Sequence, residues 1–181
     1  MKQYIALFRG INIGSTRSLP MRELVELLAG LGLQNIKTYI QSGNVIFETG
    51  DPDASQLARR ISLAVHERRG FAPEVLLLEA ADLENAVSSN PFPEAEPFPK
   101  TLHVFFLAAA PPDPDLKKLE SIRLGSERFM LKGKLFYLHT PDGSGQSKLA
   151  AGIEKALGVP ATGRNWQTVC QVLALAKPEG G

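Results

Sequence analysis

The chain has little of what a disulfide-linked, membrane-spanning or strongly charged protein needs. Its single cysteine, Cys170, cannot form an internal disulfide. No stretch reaches the roughly 18 apolar residues that span a bilayer, and the first apolar run is too short for a signal peptide. A formal net charge of +1 does not favour binding to nucleic-acid phosphates through bulk charge. These absences predict a soluble cytoplasmic protein without a membrane partner.

The composition is that of an ordinary globular protein, with 44% hydrophobic and 22% charged residues among 181. Hydrophobic spacing in the first half predicts the element order β-α-β-β-α-β, the split pattern of ferredoxin-like domains. The predicted elements are a strand over 3–9, a helix begun by Pro20 with Ser18 as its cap, strands over 36–41 and 44–49, a helix capped by Asp53, and a strand over 73–79.

A similar order follows the segment 88–100, whose four prolines predict an extended linker. The predicted elements after it are a strand over 101–107, a helix capped at 113–114, a hairpin of 128–131 with 135–139, a helix over about 147–157, a short strand over 161–164 and a final helix with Trp166 and Cys170 on one face. The predicted fold class is therefore α+β, with ferredoxin-like halves at 1–87 and 101–181, a Pro-rich linker and a C-terminal helix.

Two loops containing glycine and asparagine are predicted to meet at one edge of the first sheet. In the split pattern the first and second strands run parallel with the third between them, so their carboxyl ends share an edge. The loop residues are Arg9, Gly10, Asn12 and Gly14 after the first strand, and Gln41, Ser42, Gly43 and Asn44 after the second. Glycine backbone, an arginine and side-chain amides suit a small anionic ligand. The alternative is an ordinary hairpin turn beside a surface arginine.

A second candidate anion site lies where a strand of the second half leads into a helix. Its residues are Gly143, Ser144, Gly145, Ser147 and Lys148, with Arg164, Asn165 and Trp166 expected at the same sheet edge. Backbone N–H groups at a helix start, with a lysine, would suit a phosphate or a carboxylate. The spacing is not that of a Walker A loop. The alternative is a Gly-Ser loop that caps the helix, with the tryptophan in the core.

Other chemistry has little support in the sequence. His66 lies on a charged helix face, and His103 and His139 lie in strands without partners at metal-ligand spacing, so neither a metal site nor a cofactor is predicted. Cys170 on an apolar helix face is expected to be an inert thiol. No nucleophile-elbow motif is present.

Several motifs together resemble one family. They are RGINIG, PMRELVELLAGLG, KTYIQSGNVIF, NPFP, LHVFFL, GSGQSKL and TGRNWQTV. The chain resembles the domain of unknown function 1697 family over nearly its whole length. The resemblance implies a two-part α+β protein but no activity, and its signature positions map to Arg9, Gly10, Asn12, Gly14, Gln41, Ser42, Gly43, Asn44, Arg164, Asn165 and Trp166. Ser15 stands where the family usually has a second glycine, which would restrict a backbone of positive φ.

Three functions stay open at this stage. The first is binding of a small anionic ligand, a nucleotide or a phosphorylated metabolite, at the loop edge of the first sheet. The second is an enzyme that acts on such a ligand, although Asp142 is the one acid or histidine in the predicted loops. The third and weakest is single-stranded nucleic-acid binding, with Tyr4, Phe8 and Phe47 as a stacking platform. The sequence does not predict an oligomeric state.

Overall fold

Six α-helices and two four-stranded antiparallel sheets make up this mixed α+β protein, as seen in a computed structural model that describes residues 1–178. The chain divides into two units. Unit 1 comprises Met1–Glu84 and the described residues from Gln171 onwards, and unit 2 comprises Asn85–Cys170.

The first half of the chain alternates strands and helices in the predicted order. Its elements are β1 (Lys2–Arg9), α1 (Met21–Gly30), β2 (Gln34–Tyr39), β3 (Asn44–Thr49), α2 (Ala54–Arg69), β4 (Glu74–Leu78) and α3 (Ala80–Ser88). Asp53 caps α2 by accepting from the backbone N–H groups of Ser55 and Gln56, as predicted. The cap position of α1 is Pro20, which has no side-chain hydrogen bond, so the prediction that Ser18 caps this helix is wrong.

The sheet of unit 1 has the strand order β2-β3-β1-β4. Because β3 pairs antiparallel with both neighbours, β1 and β2 run parallel and their carboxyl ends share an edge with the start of β3. β4 starts at the same edge, where Glu74 lies opposite Arg9. The predicted position of the third strand between the first and second is therefore observed.

Alternating residues of β1 and β3 form the core of unit 1. Tyr4, Phe8 and Phe47 are buried on the sheet face that packs against Leu24 of α1 and Leu57 of α2. This is the period-two pattern of a strand meeting the apolar stripe of a helix. The three aromatic rings therefore offer no exposed platform for stacking bases.

The described part of the chain contains eight regular elements after α3. They are a 3-10 turn (Pro93–Ala95), β5 (Leu102–Leu107), α4 (Leu116–Ile122), β6 (Arg128–Lys132), β7 (Leu135–His139), α5 (Lys148–Leu157), β8 (Ala161–Asn165) and, last, α6 (Trp166–Ala176). The sheet order is β6-β7-β5-β8. Phe136, Leu138, Leu119 and Ile153 belong to its core. The cap of α4 is Asp115, not the predicted position 113–114.

The segment 88–100 is not the extended chain that its prolines predict. Pro93 begins a 3-10 turn, which its fixed φ favours, and Phe92 and Ala95 are buried. The segment is also bonded to the hairpin of unit 2, because Lys132 Nζ donates to the Ser89 carbonyl at 2.7 Å. The burial of the Phe92 side chain therefore favours a packed conformation of this segment over the extended one that its proline content predicts.

One end of that hairpin places a histidine beside an arginine. His139 is 8% exposed, and its Nδ1 lies 3.0 Å from the Arg128 guanidinium. A guanidinium only donates, so this nitrogen must accept. Arg128 also pairs with Glu94 and lies 4.6 Å from the centre of the Phe92 ring. Burial and the nearby guanidinium lower the pKa of His139 below its usual range, against a smaller opposing effect of Glu94.

We predict that the protein loses stability between about pH 7.5 and about pH 5.5. The pKa values of His139 and His103 are lowered by burial, so the unfolded chain binds protons first as the pH falls through its histidine pKa of about 6.5. That proton uptake favours unfolding. Urea titrations at the two pH values check this. His139→Gln should reduce the loss; equal wild-type stability at both pH values would contradict the prediction.

Candidate functional site

The loop that follows β1 is organised by the side chain of Asn12. Its Nδ2 donates to the Gln41 carbonyl at 2.7 Å and to the Leu19 carbonyl at 2.9 Å. Its Oδ1 accepts from the Leu19 N–H at 2.8 Å, and its own N–H donates to the Arg17 carbonyl at 2.8 Å. The backbone of Asn12 has a φ of 52°, a left-handed conformation that asparagine tolerates well. One residue therefore closes its own loop and ties it to the turn after β2.

The turn between β2 and β3 approaches β1 closely at Gly43. The Gly43 carbonyl accepts from the Phe8 N–H at 2.8 Å. A Cβ at this position would lie 2.6 Å from Phe8 Cβ and 2.7 Å from Ile11 Cδ1, and its φ is +86°. Both the space and the backbone conformation therefore require glycine.

Asn44 supports the same turn from inside the protein. The residue is fully buried, and its Nδ2 donates to the Tyr39 carbonyl at 2.9 Å and to Ser42 Oγ at 3.0 Å. The two asparagines predicted to contact a ligand thus hold the loops in place. The structure does bring the two predicted loops together, and Gln41 and Ser42 are exposed on the turn.

Two arginines carry positive charge at this edge. Arg9 Nη1 lies 3.0 Å from Glu74 Oε2, its partner across β1 and β4. Arg17 Nη1 donates to the Gly10 carbonyl at 3.3 Å, and its guanidinium lies 5.4 Å from the centre of the Phe71 ring. Sequence reasoning missed Arg17 and Glu74. The signal for Arg17 was present, since it is the single charged residue of the loop over 10–20.

The end of α2 brings further guanidinium groups to the same region, because Phe71 follows directly after this helix. Arg68 Nε lies 3.0 Å from Glu23 Oε1, and Arg69 also pairs with Glu23 at the start of α1. The Arg69 guanidinium, followed by that of Arg68, holds the pKa of the Glu23 carboxyl below its usual range. These contacts join the end of α2 to the start of α1.

The backbone of the first loop contains two further left-handed residues. Gly10 has a φ of 78° and Gly14 a φ of 64°, which suits glycine at both. Ser15 has no positive φ, since the non-glycine residues of that kind in the described part of the chain are Asn12, Asn35 and Ile40. The serine that departs from the family pattern therefore does not restrict this loop.

At the second predicted site, topology brings both segments to one end of the sheet of unit 2. His139 at the end of β7 pairs with Leu102, and Asn165 at the end of β8 pairs with His103. Ser147 caps α5 by accepting from the Ala150 N–H at 3.4 Å. The predicted site residues Gly143, Ser144, Gly145 and Lys148 are exposed.

The β8 side of the second site is mainly structural. Asn165 Oδ1 accepts from the Thr168 N–H at 2.9 Å at the start of α6, and Trp166 is buried. Arg164 Nη1 donates to the Gly163 carbonyl at 2.8 Å, and burial lowers the pKa of Arg164 to about 10. Trp166 is thus buried, as the alternative interpretation expected, and the Asn165 side chain bonds to the first turn of α6.

The described residues were also compared with the requirements of a metal site and of a membrane-spanning helix. Across residues 1–178 there is no group of three or more His, Cys, Asp or Glu side chains arranged to hold a metal ion. Within the same range, no helix has the length and apolar character needed to cross a bilayer. Cys170 is half-buried, and burial raises the pKa of its thiol, with a smaller contribution from Glu96.

Fold and site together define a two-unit α+β protein whose first sheet carries a cation-bearing loop edge. The chain belongs to the family described as protein of unknown function (DUF1697), whose model matches residues 1–137. The family resemblance read from the sequence motifs is thereby confirmed. The structure is similar to that of the conserved bacterial protein SP0830 from Streptococcus pneumoniae, with a TM-score of 0.65 and 25% sequence identity, covering 97% of this chain and 98% of that one. No curated protein matches the chain.

We predict that Gly43→Ala destabilises the protein by about 3 kcal/mol or more. The added methyl would meet both Phe8 and Ile11, and the backbone would stay in a left-handed conformation. Gly14→Ala is the matched control, because its φ is also positive but nothing lies within 4 Å of the added Cβ; it should cost only about 1–2 kcal/mol. Denaturant unfolding measures both. Equal costs would show that the contact of the turn with β1 is unimportant.

A second prediction isolates the side-chain hydrogen bonds of Asn12. Asn12→Ala and Asn35→Ala both replace an asparagine in left-handed backbone, with φ of 52° and 51°, so the backbone penalty is matched. Asn35 is exposed and its side chain donates to Glu48. Asn12→Ala should therefore lower the unfolding free energy by about 2 kcal/mol more than Asn35→Ala does. A difference near zero would contradict the loop-tethering role of Asn12.

Proposed function

We propose that the loop edge of unit 1, formed by residues 9–17 and 40–44, binds a small anionic ligand such as a nucleotide or a phosphorylated metabolite. The observation that carries the proposal is the hydrogen bond from Asn12 to the Gln41 carbonyl. It joins two glycine-containing loops at the edge where Arg9 and Arg17 lie. Pre-organised backbone beside guanidinium groups is an arrangement that suits phosphate or carboxylate.

Each residue has a separate role in this proposal. Arg17 contacts the anion directly, since its guanidinium is held by the Gly10 carbonyl and the Phe71 ring rather than by a carboxylate in any contact described above. Arg9 contributes charge and exchanges part of its contact with Glu74 for the ligand. Gln41 and Ser42 orient the ligand from the turn. One edge of the sheet therefore carries both the positive charges and the polar groups that an anion requires.

A groove elsewhere in unit 1 fits an anion less well. It lies between α1 and α2, has a volume of about 350 Å³, and is lined by Glu23, Glu26, Leu27, Ala64, Glu67 and Arg68. Three carboxylates against one guanidinium would repel an anion. The loop edge is therefore the better anion site of the two.

The enzyme alternative gains one group from the structure. Glu74 places a carboxylate beside Arg9, which the sequence-based expectation for these loops lacked. A carboxylate next to the bound anion could act as an acid or a base. Turnover of a bound phosphate ester that Glu74→Gln abolishes would favour this alternative over simple binding.

The halves of the chain share a finer organisation. We infer that residues 1–87 and 101–181 are ferredoxin-like halves joined at 88–100, supported by the element order and by the strand orders β2-β3-β1-β4 and β6-β7-β5-β8. Residues 179–181 of the second half lie outside the described residues. A cytoplasmic location stays a prediction, as does the possible second anion site of Gly143, Ser144, Gly145, Ser147, Lys148, Arg164, Asn165 and Trp166.

Thermal unfolding with a panel of phosphate compounds tests the proposed function. At about 100 times its Kd, a ligand of the panel should raise the wild-type Tm by about 5–10 °C. Arg9→Ala and Arg17→Gln should each reduce the shift, because each removes a guanidinium from the edge. Arg22→Gln is the matched control, since this exposed arginine of α1 pairs only with Glu26 among the ion pairs described. No shift with any compound, or a full shift in a variant that combines Arg9→Ala with Arg17→Gln, would contradict the proposal.

A further inference from the structure

Two large aliphatic side chains are exposed at the loop edge. Ile13 is 68% exposed and Ile40 is 51% exposed. Each is one residue away from the hydrogen bond between Asn12 and Gln41, so the two isoleucines belong to the same joined pair of loops. Leu63, the other strongly exposed aliphatic residue described between β1 and β4, lies instead on α2.

Ile40 also has an unfavourable backbone. Its φ is 49°, in the left-handed region that β-branched residues rarely adopt. The other non-glycine residues described with positive φ are Asn12 and Asn35, a type that tolerates this conformation. Neither local preference nor burial in the core accounts for an isoleucine here. Such outliers persist where the surrounding structure enforces them, and they concentrate at ligand-contacting positions.

Charge and size limit what could cover these side chains. Arg9 and Arg17 lie on the same edge, so a matching ligand has to present negative charge as well as apolar surface. A stable protein partner buries about 800 Å² of each surface, far more than two isoleucine side chains offer. A small organic anion fits both limits.

We infer that the ligand of this edge is an organic phosphate with a flat or aliphatic carbon skeleton, whose apolar part contacts Ile13 and Ile40. This inference rests on the proposed function. The arginines hold the phosphate, and the isoleucines favour phosphates that carry an apolar group. Burial of the apolar group between exposed side chains adds affinity in proportion to the area removed from water.

Three probes of similar charge separate the two parts of the site. Isothermal titration of the full chain with inorganic phosphate, glycerol phosphate and phenyl phosphate should show phenyl phosphate binding about tenfold more tightly than glycerol phosphate. Ile13→Ser and Ile40→Asn should each weaken the binding of phenyl phosphate more than that of inorganic phosphate and so reduce this advantage. Leu63→Ser, which removes an exposed aliphatic group from α2, is the matched control and should retain the full advantage.

The outcomes distinguish this inference from the proposed function. Ile40→Asn should fold with an unchanged or higher Tm, because asparagine tolerates a positive φ, and Ile13→Ser repeats the test at a position without that constraint. If all three probes bind equally and Arg17→Gln weakens them, the apolar selection is overturned and anion binding stands. If no probe binds the wild type, both are overturned. If Leu63→Ser also loses the preference, the assignment to Ile13 and Ile40 is overturned.

Discussion

The hydrogen bonds of the Asn12 side chain are the interaction on which the loop edge depends. A loop of eleven residues between β1 and α1 would otherwise sample many conformations. The asparagine amide offers two donors and an acceptor, and the structure uses all of them within the protein, on Leu19 and Gln41. It thereby fixes the path of its own loop and its position against the turn after β2. Alanine could accept the backbone conformation only at a cost and could make none of these bonds.

The positions of the other loop-edge residues depend on these hydrogen bonds of Asn12. With the turn held against β1, Gly43 can approach Phe8 without a side chain between them, and buried Asn44 closes the turn from below. The end of β1 then lies beside the start of β4, which places Arg9 opposite Glu74. Further along the loop after β1, the Arg17 guanidinium lies near the ring of Phe71, which follows α2. Cationic groups from separate parts of the chain therefore reach one edge through packing and backbone geometry.

Local sequence patterns predicted much of the fold and part of the loop edge. Apolar spacing and turn residues predicted the element order, and the split pattern placed the third strand between the first two, so the meeting of the loops followed. Contacts between distant residues were not visible in any local pattern. Arg17 with Phe71 is one example, and another is the burial of Phe92, which turns the proline-rich segment into packed structure. The hydrogen bonds by which Asn12 and Asn44 hold the loops were not predicted, because an amide that completes a loop and one that contacts a ligand look alike in sequence. Nothing local indicates a left-handed backbone at Ile40, because tertiary structure overrides residue preference there.

The most direct test of the account is an amide chemical-shift titration of isotope-labelled protein with phenyl phosphate. The account predicts that shift changes concentrate at residues 9–17 and 40–44, with smaller changes near Phe71 and Glu74. It would be contradicted by changes centred on the second predicted site at 143–148. Changes centred on the groove of about 470 Å³ that Lys37 and Glu48 help to line would contradict it equally. Either pattern would place anion binding away from the edge that Asn12 holds together.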